Sequence, residues 1–254
     1  MSAPSPVPES LLREIVATYA PRRVILFGSR ARGDARPDSD MDLLLEMDDD
    51  APREAMARSI RHAEGPGFSG DVEIHPWRVS DLRRREHLRG AFAATIRREG
   101  VTVYENPARC EEPAVPEGER VTAAEETRTW VDRAQRDRRA ATIMMDLNPP
   151  DVDIAAFHIQ RAAEKLVKAL LILADREVPK SHNLRDLDAR LGADSPIPRD
   201  LAAELARFSD WVISGRYPDP PRGDYAPTEP RVRAALEHIA RLEAIVAAAL
   251  DRAG

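Results

Sequence analysis

The hydrophobic pattern changes period once along the 254 residues, and that change constrains the fold more than any other feature. Before residue 106 the apolar residues come in short runs and alternations: VILF (24–27), DMDLLLEM (40–47), GDVEIHPW (70–77) and VTVYE (101–105). Runs of this length, bounded by Gly, Pro and Asp, read as strands. Beyond residue 120 they vanish. Ile159, Ala163, Leu166, Leu170 and Leu173 instead form one helical stripe, and Val232, Leu236, Ile239, Leu242 and Val246 form another. Between the halves, NPARCEEPAVPEGER (106–120) carries three prolines and four glutamates with no apolar period, which reads as a linker. The expectation is an α+β chain: a small mixed sheet with helices over residues 1–105, then an all-α bundle over 121–254.

Within the first half the spacing predicts a helix over 8–20, strands over 23–27 and 41–47, a helix over 52–64 that stops at Gly65-Pro66-Gly67, a strand over 71–76, a helical stretch over 79–99 and a last strand over 101–105. The second half predicts helices over 121–146, 151–175, 183–191, 198–214 and 229–250. The sequence Ser181-His182-Asn183 supplies capping side chains for the third of these.

Residues 28–42 concentrate the chemistry. Asp40 and Asp42 stand one residue apart at the start of an apolar run. Side chains two apart on a strand share a face, so the carboxylates project together while Met41, Leu43 and Leu45 point to the core. Adjacent like charges are costly unless a cation sits between them, and carboxylate oxygens suit Mg²⁺. Gly28-Ser29, directly after a strand, offers backbone N–H groups and a hydroxyl to phosphate oxygens. Two metals sharing bridging oxygens need a third carboxylate on a neighbouring strand. In GDVEIHPW, Asp71 and Glu73 share the polar face, with His75 beside them. Both acids remain candidates. His75 reads as structural.

The string G-S-x-A-R-G-x-x-x-x-x-S-D-x-D fits residues 28–42 at every specified position, and it resembles the signature of the minimal nucleotidyltransferases of the DNA polymerase beta-like superfamily. The resemblance implies a small mixed sheet, a nucleoside triphosphate donor (ATP in the family's usual case) and Mg²⁺. It places Gly28 and Ser29 on the β- and γ-phosphates, with Arg32 and Ser39 inside the same signature. Asp40 and Asp42 would hold the metals. The family's third acid is normally an aspartate. Residue type therefore selects Asp71, whereas the flanking Val72 and Ile74 select Glu73, which is preferred.

In the second half, FHIQRAAEKLVKALLILADREVPKSHNLRDL (157–187) resembles the HEPN domain, an all-helical partner of such enzymes, through Gln160, Ala163, Glu164, Lys165, Lys168, His182 and Leu184. Arg216-Tyr217-Pro218-Asp219-Pro220 also fits this group. Active HEPN ribonucleases carry an arginine and a histidine four to six residues apart, and that place holds no histidine here. Arg233 and His238 have the spacing but lie about 140° apart around a helix. RNA is not the expected substrate, and the bundle is read as a packing and substrate-positioning module. His158 and His182 are read as structural, and Arg161, Lys165 and Lys168 as a basic stripe that is solvated, the preferred reading, or faces the triphosphate.

These readings point to transfer of AMP to a hydroxyl acceptor on a protein, with Tyr217 and Tyr225 as candidates, or on a small molecule. The alternatives are a nucleotide-binding regulator of toxin–antitoxin type with little turnover and, less favoured, a HEPN ribonuclease. HEPN resemblance also implies a homodimer. The 38 Lys and Arg against 44 Asp and Glu leave a net charge of −6, which argues against a duplex-DNA binder. A single cysteine, Cys110, excludes an intrachain disulfide. ALLILA (169–174) is too short to span a bilayer and MSAPSPVPES lacks signal-peptide character, so the cytoplasm is the expected location.

Overall fold

The computed structural model describes residues 7–36, 39–65, 68–109, 111–212 and 226–253. Cys110, the 216–220 segment, Tyr217 and Tyr225 lie outside the described residues. The chain falls into two compact units. One runs to His87 and resumes over Phe92–Arg120; the other comprises Leu88–Ala91 and everything from Val121.

The first unit is a five-stranded mixed sheet. Its strands are β1 (Arg23–Phe27), β2 (Met41–Met47), β3 (Ser59–Gly65), β4 (Phe68–Arg78) and β5 (Val101–Glu105). Their order is β3-β4-β2-β1-β5. Only β2 and β4 run parallel; the other neighbours are antiparallel. As the central strand, β2 is covered on both faces. Met41, Leu43, Leu45 and Met47 pack with Leu11 and Ile15 of helix α1 (Glu9–Tyr19). On the opposite face Leu44 joins Phe27, Leu82, Ala93 and Ile96, which brings in helices α3 (Val79–Arg83) and α4 (Phe92–Glu99). A further short helix, α2 (Ser29–Arg32), follows β1 directly. Asp42 and Glu46 share Leu44's face, and Glu46 is buried among Arg22, Arg23 and Arg83 at 3.5–3.6 Å.

Two predicted helices of this unit are replaced. The 52–64 segment forms a short 3-10 turn, Arg53–Met56, and then edge strand β3. Local composition favours a helix there, but the segment pairs with β4 from Ser59↔Ile74 to Gly65↔Phe68, and sheet pairing overrides propensity. The 79–99 stretch breaks into α3 and α4. Segment 106–120 lies along the first unit: Arg109 reaches Asp48 at 2.7 Å, and Glu112 sits between Arg23 at 3.0 Å and Arg83 at 2.8 Å.

The second unit is a helical bundle of α5 (Ala123–Met145), α6 (Val152–Leu173), α7 (Leu184–Leu191), α8 (Arg199–Ala206) and α9 (Glu229–Ala253). The predicted 198–214 helix ends at Ala206 and continues as a 3-10 turn over Arg207–Val212. A Thr122–Glu125 capping box starts α5, and the side chains of Asp151 and Asn183 cap α6 and α7. Helix α6 runs through the core, with Ile159, Ala163, Leu166 and Leu170 buried among residues of α5, α7, α8 and α9. Among the described residues, no helix is long and apolar enough to cross a membrane.

Candidate active site

Strand β1 ends at Phe27, and the chain turns at Gly28 with φ 78° and ψ −154°. That backbone conformation is open to glycine and strained for any residue with a Cβ. Gly33 closes α2 at φ 81°. The four-residue helix between them begins at Ser29, which sits at the mouth of the turn. Beyond it, Arg36 and Ser39 bind each other twice: the Arg36 N–H donates to Ser39 Oγ at 2.9 Å, and the Ser39 N–H donates to the Arg36 carbonyl at 3.0 Å.

Two arginines of the signature behave differently. Arg32 is exposed and paired with Asp34 at 3.2 Å and Glu99 at 3.3 Å. Arg30 donates to the Ser39 carbonyl through Nε at 3.0 Å and Nη2 at 2.6 Å, and its guanidinium lies 4.6 Å from the centre of the Phe68 ring. Arg30 therefore anchors the backbone immediately ahead of Asp40. The sequence reading passed over it, because its carbonyl partner and Phe68 are brought near only by the folded sheet.

Asp42 comes from β2, Asp71 and Glu73 come from β4, and Asp40 stands just ahead of β2. In the parallel register Met41 lies beside Val72, Asp42 beside Glu73 and Leu44 beside His75. Asp42, Glu73 and His75 share one face by strand alternation. Their ligand atoms all lie within 4.8 Å of one another. Asp40 and Asp71 belong to the same electrostatic group. Burial, and then the charges of Asp71, Glu73 and Asp42, push the Asp40 carboxyl up, with Arg30 opposing. Asp71 also faces His62 of β3 at 3.1 Å, whereas Glu73 faces Arg58 at 3.0 Å and His75 at 3.2 Å. The His75 ring stands edge-on to Phe27 at 5.3 Å, and its side chain is 11% exposed. Burial and then the Arg58 charge push its imidazole pKa down, against the pull of Glu73 and Asp42.

This donor set fits a divalent cation: hard oxygens converge, and several like charges crowd together, with Arg58 beside Glu73. The sheet thus brings Asp40, Asp42, Asp71 and Glu73 together next to the end of β1, where Phe27 pairs with Asp42 just ahead of the Gly28-Ser29 turn. Arg32 is turned toward its own acidic partners.

In the bundle, the residues read as a solvated stripe are paired instead. Lys165 and His158 both bind Asp137, His158 at 2.9 Å. Lys168, 7% exposed, donates to Glu164 at 2.7 Å. Glu164 also pairs with His182 at 3.0 Å, while Gln160 donates to the His182 carbonyl at 3.1 Å. Arg233 is held by Glu229 and by the Met145 carbonyl, whereas the His238 ring lies 6.3 Å from Phe208. These two residues build no common site.

Comparison with known proteins finds two domain families. The nucleotidyltransferase domain family is matched over residues 9–98 and the HEPN domain family over residues 127–249. Among solved structures, TT1696 from Thermus thermophilus is 31% identical, with 49% of this chain and 98% of that chain covered and a TM-score of 0.42. ST0689, described as an archaeal HEPN homologue, is 22% identical over 49% of this chain and 97% of its own, with a TM-score of 0.38. A nucleotidyltransferase-like protein from Exiguobacterium sibiricum 255-15 is 13% identical over 93% of this chain and 74% of its own, at a TM-score of 0.40. No curated protein matches the chain. The first unit thus carries a nucleotidyltransferase-family domain and the second a HEPN-family domain.

Proposed function

We propose that the protein transfers a nucleotidyl group, AMP from ATP in the first instance, to a hydroxyl acceptor. The observation that carries this reading is the β2–β4 register, which sets Asp42 beside Glu73 with Asp40 in the same charged cluster. In this reading Gly28 and Ser29 bind the β- and γ-phosphates, and Arg32 leaves its acidic partners to meet the triphosphate. Asp40, Asp42 and Glu73 would hold Mg²⁺, which supplies charge neutralisation on the triphosphate and a lower pKa for the acceptor hydroxyl. Glu73 is preferred to Asp71 because it stands directly beside Asp42. The acceptor oxygen attacks the α-phosphorus, the bond to the bridging oxygen breaks, and pyrophosphate leaves. Glu73 takes the hydroxyl proton. Positioning and charge stabilisation supply most of the acceleration.

A second reading, a nucleotide-binding regulator with little turnover, draws support from Glu73, where the family normally has aspartate, and from its 3.0 Å pairing with Arg58. Incubation with Mg²⁺ and ATP labelled at the α-phosphate separates these outcomes. Label on the protein band, lost in the Asp40→Ala/Asp42→Ala variant, identifies a protein acceptor and directs mapping to Tyr217 and Tyr225. Pyrophosphate release that rises on adding a small hydroxylated acceptor, with no labelled band, identifies a small-molecule acceptor. Nucleotide binding with no pyrophosphate released overturns the transfer reading in favour of the regulator.

A further inference from the structure

We propose that the metal position nearest β4 takes a nitrogen ligand, His75 Nε2, together with Asp42 and Glu73, and that it therefore prefers a first-row transition ion to Mg²⁺. For the ion's role this rests on the transfer reading; for the ligand set it rests on geometry alone.

The three side chains come from two adjacent parallel strands, so their spacing is set by backbone pairing. Glu73 Oε2 and His75 Nε2 lie 3.2 Å apart. Neighbouring ligands of an octahedral ion bound at about 2.1 Å stand about 3 Å apart, which is close to that separation. The ring cannot easily turn away. Phe27 meets it edge-on at 5.3 Å, and Phe92 lies 6.3 Å from it.

Arg58 Nη2 lies 3.0 Å from Glu73 Oε2 and 3.4 Å from His75 Nε2, so a positive charge from an exposed side chain already meets both ligand atoms, and a bound ion would take its place. Mg²⁺ strongly favours oxygen donors and keeps its waters, whereas imidazole suits first-row transition ions.

Mn²⁺ is the probe. Titration of the full-length protein without nucleotide, followed by electron paramagnetic resonance, should give one bound ion with nitrogen hyperfine coupling. Competition should show Mn²⁺ bound at least about tenfold more tightly than Mg²⁺. His75→Gln should abolish the nitrogen coupling and weaken Mn²⁺ about tenfold, while His75→Asp should shift the preference toward Mg²⁺. Arg58→Ala should tighten Mn²⁺ binding. Circular dichroism of each variant separates ligand loss from misfolding. Bound Mn²⁺ without nitrogen coupling, or coupling that survives in His75→Gln, overturns the inference. Nitrogen-coupled Mn²⁺ without pyrophosphate release from any nucleoside triphosphate sinks the transfer reading and leaves the ligand set standing. Pyrophosphate release by wild-type protein whose bound Mn²⁺ lacks nitrogen coupling does the opposite.

Discussion

Replacing Glu164 by glutamine tests how the helical unit is held together. Glu164 lies on α6 with a largely buried side chain, accepting from Lys168 Nζ at 2.7 Å, His182 Nδ1 at 3.0 Å and Gln160 Nε2 at 3.3 Å. Burial alone would raise its carboxyl, but the hydrogen bond from His182 and the charge and hydrogen bond of Lys168 outweigh it and hold the group down to about 2. A carboxyl whose folded pKa lies below its unfolded value stabilises the fold above the unfolded value. That contribution is lost as pH falls through the folded one. The gap from 4.5 to about 2, at about 1.4 kcal/mol per pH unit, is worth about 3 kcal/mol, of which about 2 kcal/mol is gone by about pH 3. At neutral pH, Glu164→Gln also leaves Lys168 as a buried charge without its carboxylate, a defect that typically costs about 3–5 kcal/mol. Urea unfolding followed by helical circular dichroism, near pH 6 and near pH 3, compares wild type with Glu164→Gln. The variant should be weaker by about 3 kcal/mol near pH 6, and the difference should narrow by about 2 kcal/mol near pH 3. Parallel pH profiles for the two proteins refute the reasoning.

Two further substitutions probe the first unit. Gly28→Ala places a Cβ on a φ 78° turn, so it should cost about 1–3 kcal/mol and weaken ATP binding, as read by thermal shift and by nucleotide titration. Equal binding and melting temperature would remove the turn from the account. Glu46→Gln leaves Arg22, Arg23 and Arg83 facing one another around a neutral group, and should lower the first unit's stability by about 3 kcal/mol in denaturant titration. A change below about 0.5 kcal/mol would mean that the arginines are neutralised by Glu105, Glu112 and Asp48 alone.

What was legible in the sequence tracks how much of each element is buried. Strands β1, β2 and β5 and the helices α6 and α9 carry strong apolar signals between clear breakers, and the structure places all of them within a few residues of the expected bounds. Strand β3 has no such signal. It is an edge strand whose Ile60 is 65% exposed, so little burial writes a period into it, and it is a strand because β4 offers a partner. The same gap hides Arg58, which stands just ahead of β3. At the site, the pairing of Asp40 with Asp42 follows from alternation along one strand. The neighbour of Asp42 depends instead on the register between β2 and β4, a long-range property that local spacing does not encode. His75 is a further case: a histidine in an alternating strand reads as structural until Glu73, Arg58 and Phe27 are placed around it.

The most direct test of the central claim is pyrophosphate release from ATP by wild-type protein and by Asp42→Asn, with Mg²⁺ and Mn²⁺ in parallel. The account predicts metal-dependent release by the wild type and a loss of at least about a hundredfold in the variant, while both bind nucleotide. Release that persists in Asp42→Asn would contradict it, because the carboxylate beside Glu73 would then have no part in the chemistry.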